Sequence, residues 1–80
     1  MQITIQTFAG LKDLFGKESN LEFTNSVKLI EVINKLIEKY PESERLISIS
    51  SFLVGEEIVD KDYLLKENST LIIYPPVSGG

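Results

Sequence analysis

Residues 24–41 read TNSVKLIEVINKLIEKYP, and the reading of this stretch decides the architecture. Leu29, Ile30, Ile33, Leu36, Ile37 and Tyr40 recur at three- and four-residue spacing, while Lys28, Glu31, Asn34, Lys35 and Glu38 fall on the opposite side. That period predicts an amphipathic helix with one buried face. Thr24, Asn25 and Ser26 are its candidate N-caps, and Pro41 ends it by disfavouring helical geometry at the preceding residue. A helix with a single apolar stripe needs a sheet to pack on, so the stripe reads as core rather than as a groove for a partner.

On the N-terminal side, residues 2–8 alternate, with Ile3 and Ile5 on one face and Thr4, Gln6 and Phe8 on the other. Such alternation marks a strand. Residues 9–16 read as a short helical turn closed by Gly16, with Leu11, Leu14 and Phe15 on one face. Residues 21–24 alternate again and predict a second strand, antiparallel to the first. Beyond the helix, residues 42–50 fit either a helical turn or the approach to a strand. Residues 51–54 and 55–59 predict two short strands around a tight turn. An irregular crossing over 60–67, anchored by Tyr63, Leu64 and Leu65, leads through a turn at 68–69 to a last strand over 70–74. The order β-β-α-β-β-β implies an α+β roll in which a mixed sheet curves around one main helix, the β-grasp or ubiquitin-like arrangement. The domain is expected over residues 1–74, with an extended tail over 75–80 and no second domain.

Composition narrows the chemistry. Eighty residues bury about 60–65% of the surface of the unfolded chain, which favours a function carried on a surface or an exposed segment over one in a deep cleft. Cysteine and histidine are both absent, so the chain offers no thiol nucleophile, no thiolate or imidazole metal ligand and no base of ordinary pKa near neutrality. No metal site and no cofactor bound by this chain are expected. The net charge of −4 argues against nucleic acid, which needs clustered cations, and for steering towards a basic partner surface. No segment reaches the roughly 18 apolar residues that cross a bilayer, and the first residues lack the pattern of a signal peptide. The expected location is cytoplasmic. Glu56 and Glu57 do not suggest a shared acid site, because adjacent strand residues point to opposite faces.

The last six residues, Pro75-Pro76-Val77-Ser78-Gly79-Gly80, are stiff at the base and bare at the tip. Two prolines favour an extended path, and six residues can project roughly 20 Å. Gly79 and Gly80 would pass a channel that admits backbone only. Gly80 would leave its terminal carbonyl carbon unhindered, so that a partner using ATP could adenylate it and exchange it for a thioester, amide or thiocarboxylate. A frayed Gly-Gly end is the plain alternative, but it leaves the prolines and the preceding strand without a reason.

With these residues in view, the sequence resembles the MoaD family, the small subunits of molybdopterin synthase. The likeness rests on residues 8–16 (FAGLKDLFG), the helix opening Ser26-Val27, the strand–turn–strand over 52–59, residues 64–70, and above all the terminal PPVSGG. It departs from the family pattern at two turns, Val54-Gly55 and residues 67–69, away from the tail. The resemblance implies a non-catalytic subunit whose Gly80, preceded by Gly79, is adenylated by an E1-like enzyme similar to MoeB using ATP-Mg. A sulfur donor then makes it a thiocarboxylate. The tail enters a large subunit similar to MoaE, in a heterotetramer of two small and two large subunits, and its sulfur builds the dithiolene of molybdopterin from cyclic pyranopterin monophosphate. It further implies partner contacts at Phe8, Ile58 and Tyr74 and along the tail at Pro75, Pro76, Val77 and Ser78. A sulfur carrier for thiazole or amino-acid synthesis would share the fold and the Gly-Gly end, with Pro75-Pro76 arguing against it. A protein modifier would join Gly80 to target lysines, and a plain interaction module would not need Gly80 at all.

Overall fold

A computed structural model describes residues 1–76. Val77, Ser78, Gly79 and Gly80, the tip of the expected tail, lie outside the described residues. The elements run β1 (Gln2–Thr7), α1 (Ala9–Phe15), β2 (Glu18–Glu22), β3 (Val27–Lys28), α2 (Leu29–Lys39), a 3-10 turn (Pro41–Ser43), α3 (Glu44–Ser48), β4 (Ser51–Val54), β5 (Glu57–Val59), β6 (Leu64–Leu65) and β7 (Ser69–Tyr74). Five strands form a mixed sheet in the order β2-β1-β7-β4-β5. Here β7 lies parallel to β1 and antiparallel to β4. The last strand is therefore the central one, as a roll around one helix requires.

Packing follows the two periods of the sequence. Ile3, Ile5, Leu71, Ile73 and Phe52 point from the sheet into the core, where Leu29, Val32, Ile33 and Leu36 of α2 meet them. Val32 is fully buried, an addition to the stripe read from sequence. Tyr40 lies just past the helix with φ −134° and ψ 85°, the extended geometry that a following proline imposes. Its ring meets Phe15 edge to face at 4.9 Å. Thr7 is buried on the same sheet face as Ile5, and its hydroxyl donates to the Gly16 carbonyl at 2.7 Å.

The structure corrects some of these expectations and resolves one that the sequence leaves open. The second strand starts earlier than residue 21 and ends at Glu22, because Gln6 pairs with Glu18 and Gln2 with Glu22. Helix α2 begins at Leu29 without a side-chain cap. Val27–Lys28 is instead drawn into a two-stranded pair with Leu64–Leu65. The first amide N–H groups of the helix, Leu29 and Ile30, donate to the carbonyls of Tyr63 (2.8 Å) and Lys61 (3.0 Å). Backbone from the 60–65 crossing thus performs the capping assigned to Thr24, Asn25 or Ser26, and that crossing contains a strand. Residues 44–48, left open between helix and strand, form α3, which buries Ile47, while Ile49 just past its end is exposed. Gly55 and Glu56 make the hairpin turn between β4 and β5. Gly55 has φ +64° and Glu56 has none of the positive φ recorded for other residues, the signs of a type II′ turn.

Candidate functional site

The candidate site is the root of the tail, built where β1 and β7 end side by side. Thr7 is level with Ile73 in the parallel ladder, so the next residue on each strand, Phe8 and Tyr74, emerges at the same edge. Their rings stack with centroids 4.7 Å apart and planes within 7°. Both stay partly open to solvent, at 38% and 42%. A stacked pair that could have been buried but is not leaves an apolar face for something else to cover.

Local backbone makes this placement possible. Phe8 is extended (φ −137°, ψ 163°) and leads straight into α1. The change of direction falls on Ala9, the first residue of the helix, which has φ +54° and is the one non-glycine residue of positive φ among the described residues. Left-handed geometry costs an L-residue about 1–2 kcal/mol. Gly10 follows, and a Cβ there would stand 3.0 Å from Leu46 Cδ2 of α3, so the missing side chain lets α1 and α3 close together. Phe8, Ala9, Gly10, Leu46, Tyr74 and the two prolines line an open groove of about 480 Å³. Pro75 is buried and Pro76 exposed. The first proline anchors the strand end against the body, and the second is open to solvent.

Ile58 does not join this groove. It sits on the edge strand β5 at 77% exposure, opposite Leu53 on β4, which in turn faces Ile72 on β7. Ile72 and Tyr74 are two residues apart and share a face. Ile58 therefore belongs to the same outer face of the sheet, reached through half-buried Leu53 and Ile72. Sequence reasoning missed Leu53, Ile72, Ala9, Gly10 and Leu46. The small residues directly after Phe8 were the visible signal for the groove; Leu46 needed the α1–α3 contact. Val77, Ser78, Gly79 and Gly80 fall outside the described residues. A larger, polar cleft of about 770 Å³ lies at the other end of β7, between the β4–β5 turn and Ser69, away from the tail. Among the described residues no cluster of acidic side chains could hold a metal ion, and no helix is long and apolar enough to cross a membrane.

The chain has recognisable relatives among known proteins. The sequence profile of the ThiS family matches residues 5–80. A molybdopterin synthase sulfur carrier subunit from Dictyostelium discoideum is 34% identical over 84 residues, spanning 99% of this chain and 96% of the relative. In three dimensions the chain resembles small archaeal modifier protein 1 of Methanosarcina acetivorans, with TM-score 0.81, 26% identity and coverage of 99% and 96% of the two chains. It also resembles a chain of the complex between subunits 1 and 2 of molybdopterin-converting factor from Helicobacter pylori. There the TM-score is 0.69 and the identity 14%, over the full length of both chains. The fold is the ubiquitin-like β-grasp expected from the element order.

Proposed function

This chain belongs to the ThiS family, and on that premise we propose that it is a sulfur carrier, the small subunit of a molybdopterin synthase. The observation that carries this reading is the central strand β7 running past a half-exposed aromatic stack into Pro75-Pro76, in a chain 34% identical to a molybdopterin synthase sulfur carrier subunit. The body holds the strand, the aromatic face docks, and the tail reaches into a partner's active site.

The chemistry proceeds at Gly80. Its carboxylate attacks the α-phosphate of ATP on an adenylating enzyme, forming a C–O–P bond and releasing pyrophosphate. A donor that delivers sulfur at the hydrosulfide level attacks the acyl carbon and AMP leaves, which yields the thiocarboxylate. In a large synthase subunit the terminal sulfur attacks a carbon of the pterin substrate, and a C–S bond forms as a C–O bond to that carbon breaks and the oxygen departs with its electron pair. Water later cleaves the acyl–sulfur bond, leaving sulfur on the product and returning the Gly80 carboxylate. The large subunit supplies the acid and base groups, consistent with a carrier that has neither histidine nor cysteine. The Helicobacter complex of subunits 1 and 2 is the kind of assembly this reading calls for.

A protein-modifier reading is favoured by one observation, the 26% identity to small archaeal modifier protein 1. One experiment separates the two. The chain is tagged at Met1, which lies at the end of the sheet away from Tyr74 because β1 and β7 run parallel, and is recovered from its native cell. Mass spectrometry then reads the C-terminal peptide and the partners. A Gly80 thiocarboxylate together with a synthase large subunit is the expected result. Gly80 joined to target lysines would make the chain a modifier, and a thiocarboxylate accompanied by a thiazole or amino-acid biosynthetic enzyme would move it to another pathway.

A further inference from the structure

The five strands of the main sheet contain Glu18, Glu22 and Glu57 but no lysine or arginine. All eight cationic side chains of the protein lie in α1, α2, α3, the small β3–β6 pair and the loops. The ladder registers then order the outer face. Across one row stand Glu18, Gln6, Ile72, Leu53 and Ile58. Asn20 sits beside Thr4, and Glu22 beside Gln2. The face thus grades from a carboxylate and amide strip on β2 to an apolar field on β7, β4 and β5, which continues to the Phe8–Tyr74 stack. Solubility alone is well served by a surface that intersperses both charge signs, whereas the strands of this sheet place carboxylates on the face and no cation.

We propose that this whole outer face is one composite docking surface, and that its partner presents an apolar pocket for the Tyr74 side bordered by lysine or arginine side chains over the β2 strip. The proposal rests on the carrier reading and adds the chemistry of the partner surface. Nucleic acid and anionic membranes are repelled by such a face. A carrier must leave one protein and reach the next, so it benefits from fast association without a tight, slow-leaving complex. Rim charge complementarity acts mainly on the association rate. Glu18 and Glu22 are placed to provide it, being exposed and on an edge strand outside the apolar centre. Glu18 is held upright by the Gln6 amide, which donates to it at 3.1 Å.

The test measures association rates with the purified large synthase subunit of the same organism, at about 0.05 M and about 0.5 M salt, where the screening length falls severalfold. The double variant Glu18→Lys/Glu22→Lys is compared with Glu31→Lys/Glu38→Lys, an equal change in net charge on exposed positions of α2. Lysine is well tolerated on an edge strand, and thermal unfolding verifies each fold. The expected result is an association rate about tenfold lower at low salt for the sheet variant, with a flattened salt dependence, and a loss under about twofold for the helix variant. Equal losses would assign the effect to net charge and overturn the proposal, as would no loss in either. A wild-type chain that dimerises in sedimentation, with the dimer broken by Leu53→Asp, would give the face to a second copy and overturn it too. Binding of the unmutated chain tests the carrier reading itself, whereas the ratio between the variants tests the face.

Discussion

Two neighbouring residues at the tail root divide the labour between contact and geometry. Tyr74 contributes one face of the aromatic stack, and its partial exposure means that removing the ring opens no cavity in the core. Tyr74→Asp is therefore expected to weaken binding to the large subunit by about 10- to 100-fold, as loss of an aromatic anchor does, with little change in melting temperature. Unchanged affinity in a calorimetric titration would remove Tyr74 from the interface. Ala9 acts through its backbone. At φ +54° a β-branched residue is more strained than alanine, whereas glycine relieves the strain but adds freedom to the unfolded chain. Ala9→Val should lose roughly 1–2 kcal/mol, and Ala9→Gly should be at least as stable as the parent. Denaturant midpoints of the two variants check this, and equal destabilisation by both would mean that the left-handed turn is not what Ala9 provides.

At the scale of elements, the structure depends most on β7, which is hydrogen-bonded on both sides and supplies fully buried Leu71 and Ile73. Leu71→Ala should cost about 2–5 kcal/mol, a large share of the roughly 5–15 kcal/mol that holds a domain together. Thr70→Ala, on the exposed side of the same strand, should stay within about 0.5 kcal/mol. Urea unfolding of the pair tests the assigned faces, and similar midpoints would contradict them. The same elements explain what the sequence could disclose. Strand β1, helix α2, the β4–β5 hairpin and β7 were legible because each carries its own period or turn residue. The β3–β6 pair was not, since two residues of strand have no period and Val27 meets Leu65 only through the fold. That pairing also hid the true start of α2, whose amides are capped by carbonyls more than thirty positions away. Helix α3 has five residues and no side-chain cap, too little for a pattern to show. Strand β2 was misplaced because its outward positions are Glu18, Asn20 and Glu22, residues that disfavour strands on average and are tolerated at a solvent-facing edge. At the candidate site, Phe8, Tyr74 and the prolines stand out in the sequence as breaks in pattern, whereas Leu53 and Ile72 do not, because alternation alone does not say which face is covered.

For the whole molecule, docking on the aromatic face and chemistry at Gly80 make the proposed mechanism divisible by mutation. Among the described residues the hydrophobic core runs from Ile3 to Ile73, ahead of both prolines, and Pro75 is the last buried residue. Deleting Gly80 should then leave the melting temperature within about a degree and the complex with the large subunit within a few-fold of the parent, because the aromatic face and the strand that holds it are untouched. Sulfur transfer should vanish, since the reacting carboxylate would sit one residue, about 3.3 Å, short of the partner's active site. Tyr74→Asp predicts the converse pattern, a loss of affinity that high partner concentration rescues, with the terminal glycine still competent for adenylation. Single-turnover sulfur transfer measured against large-subunit concentration distinguishes the two: the Gly80 deletion lowers the plateau to background, and Tyr74→Asp moves the midpoint and keeps the plateau. A Gly80 deletion that still transfers sulfur would remove the tail from the chemistry and leave the chain as an interaction module.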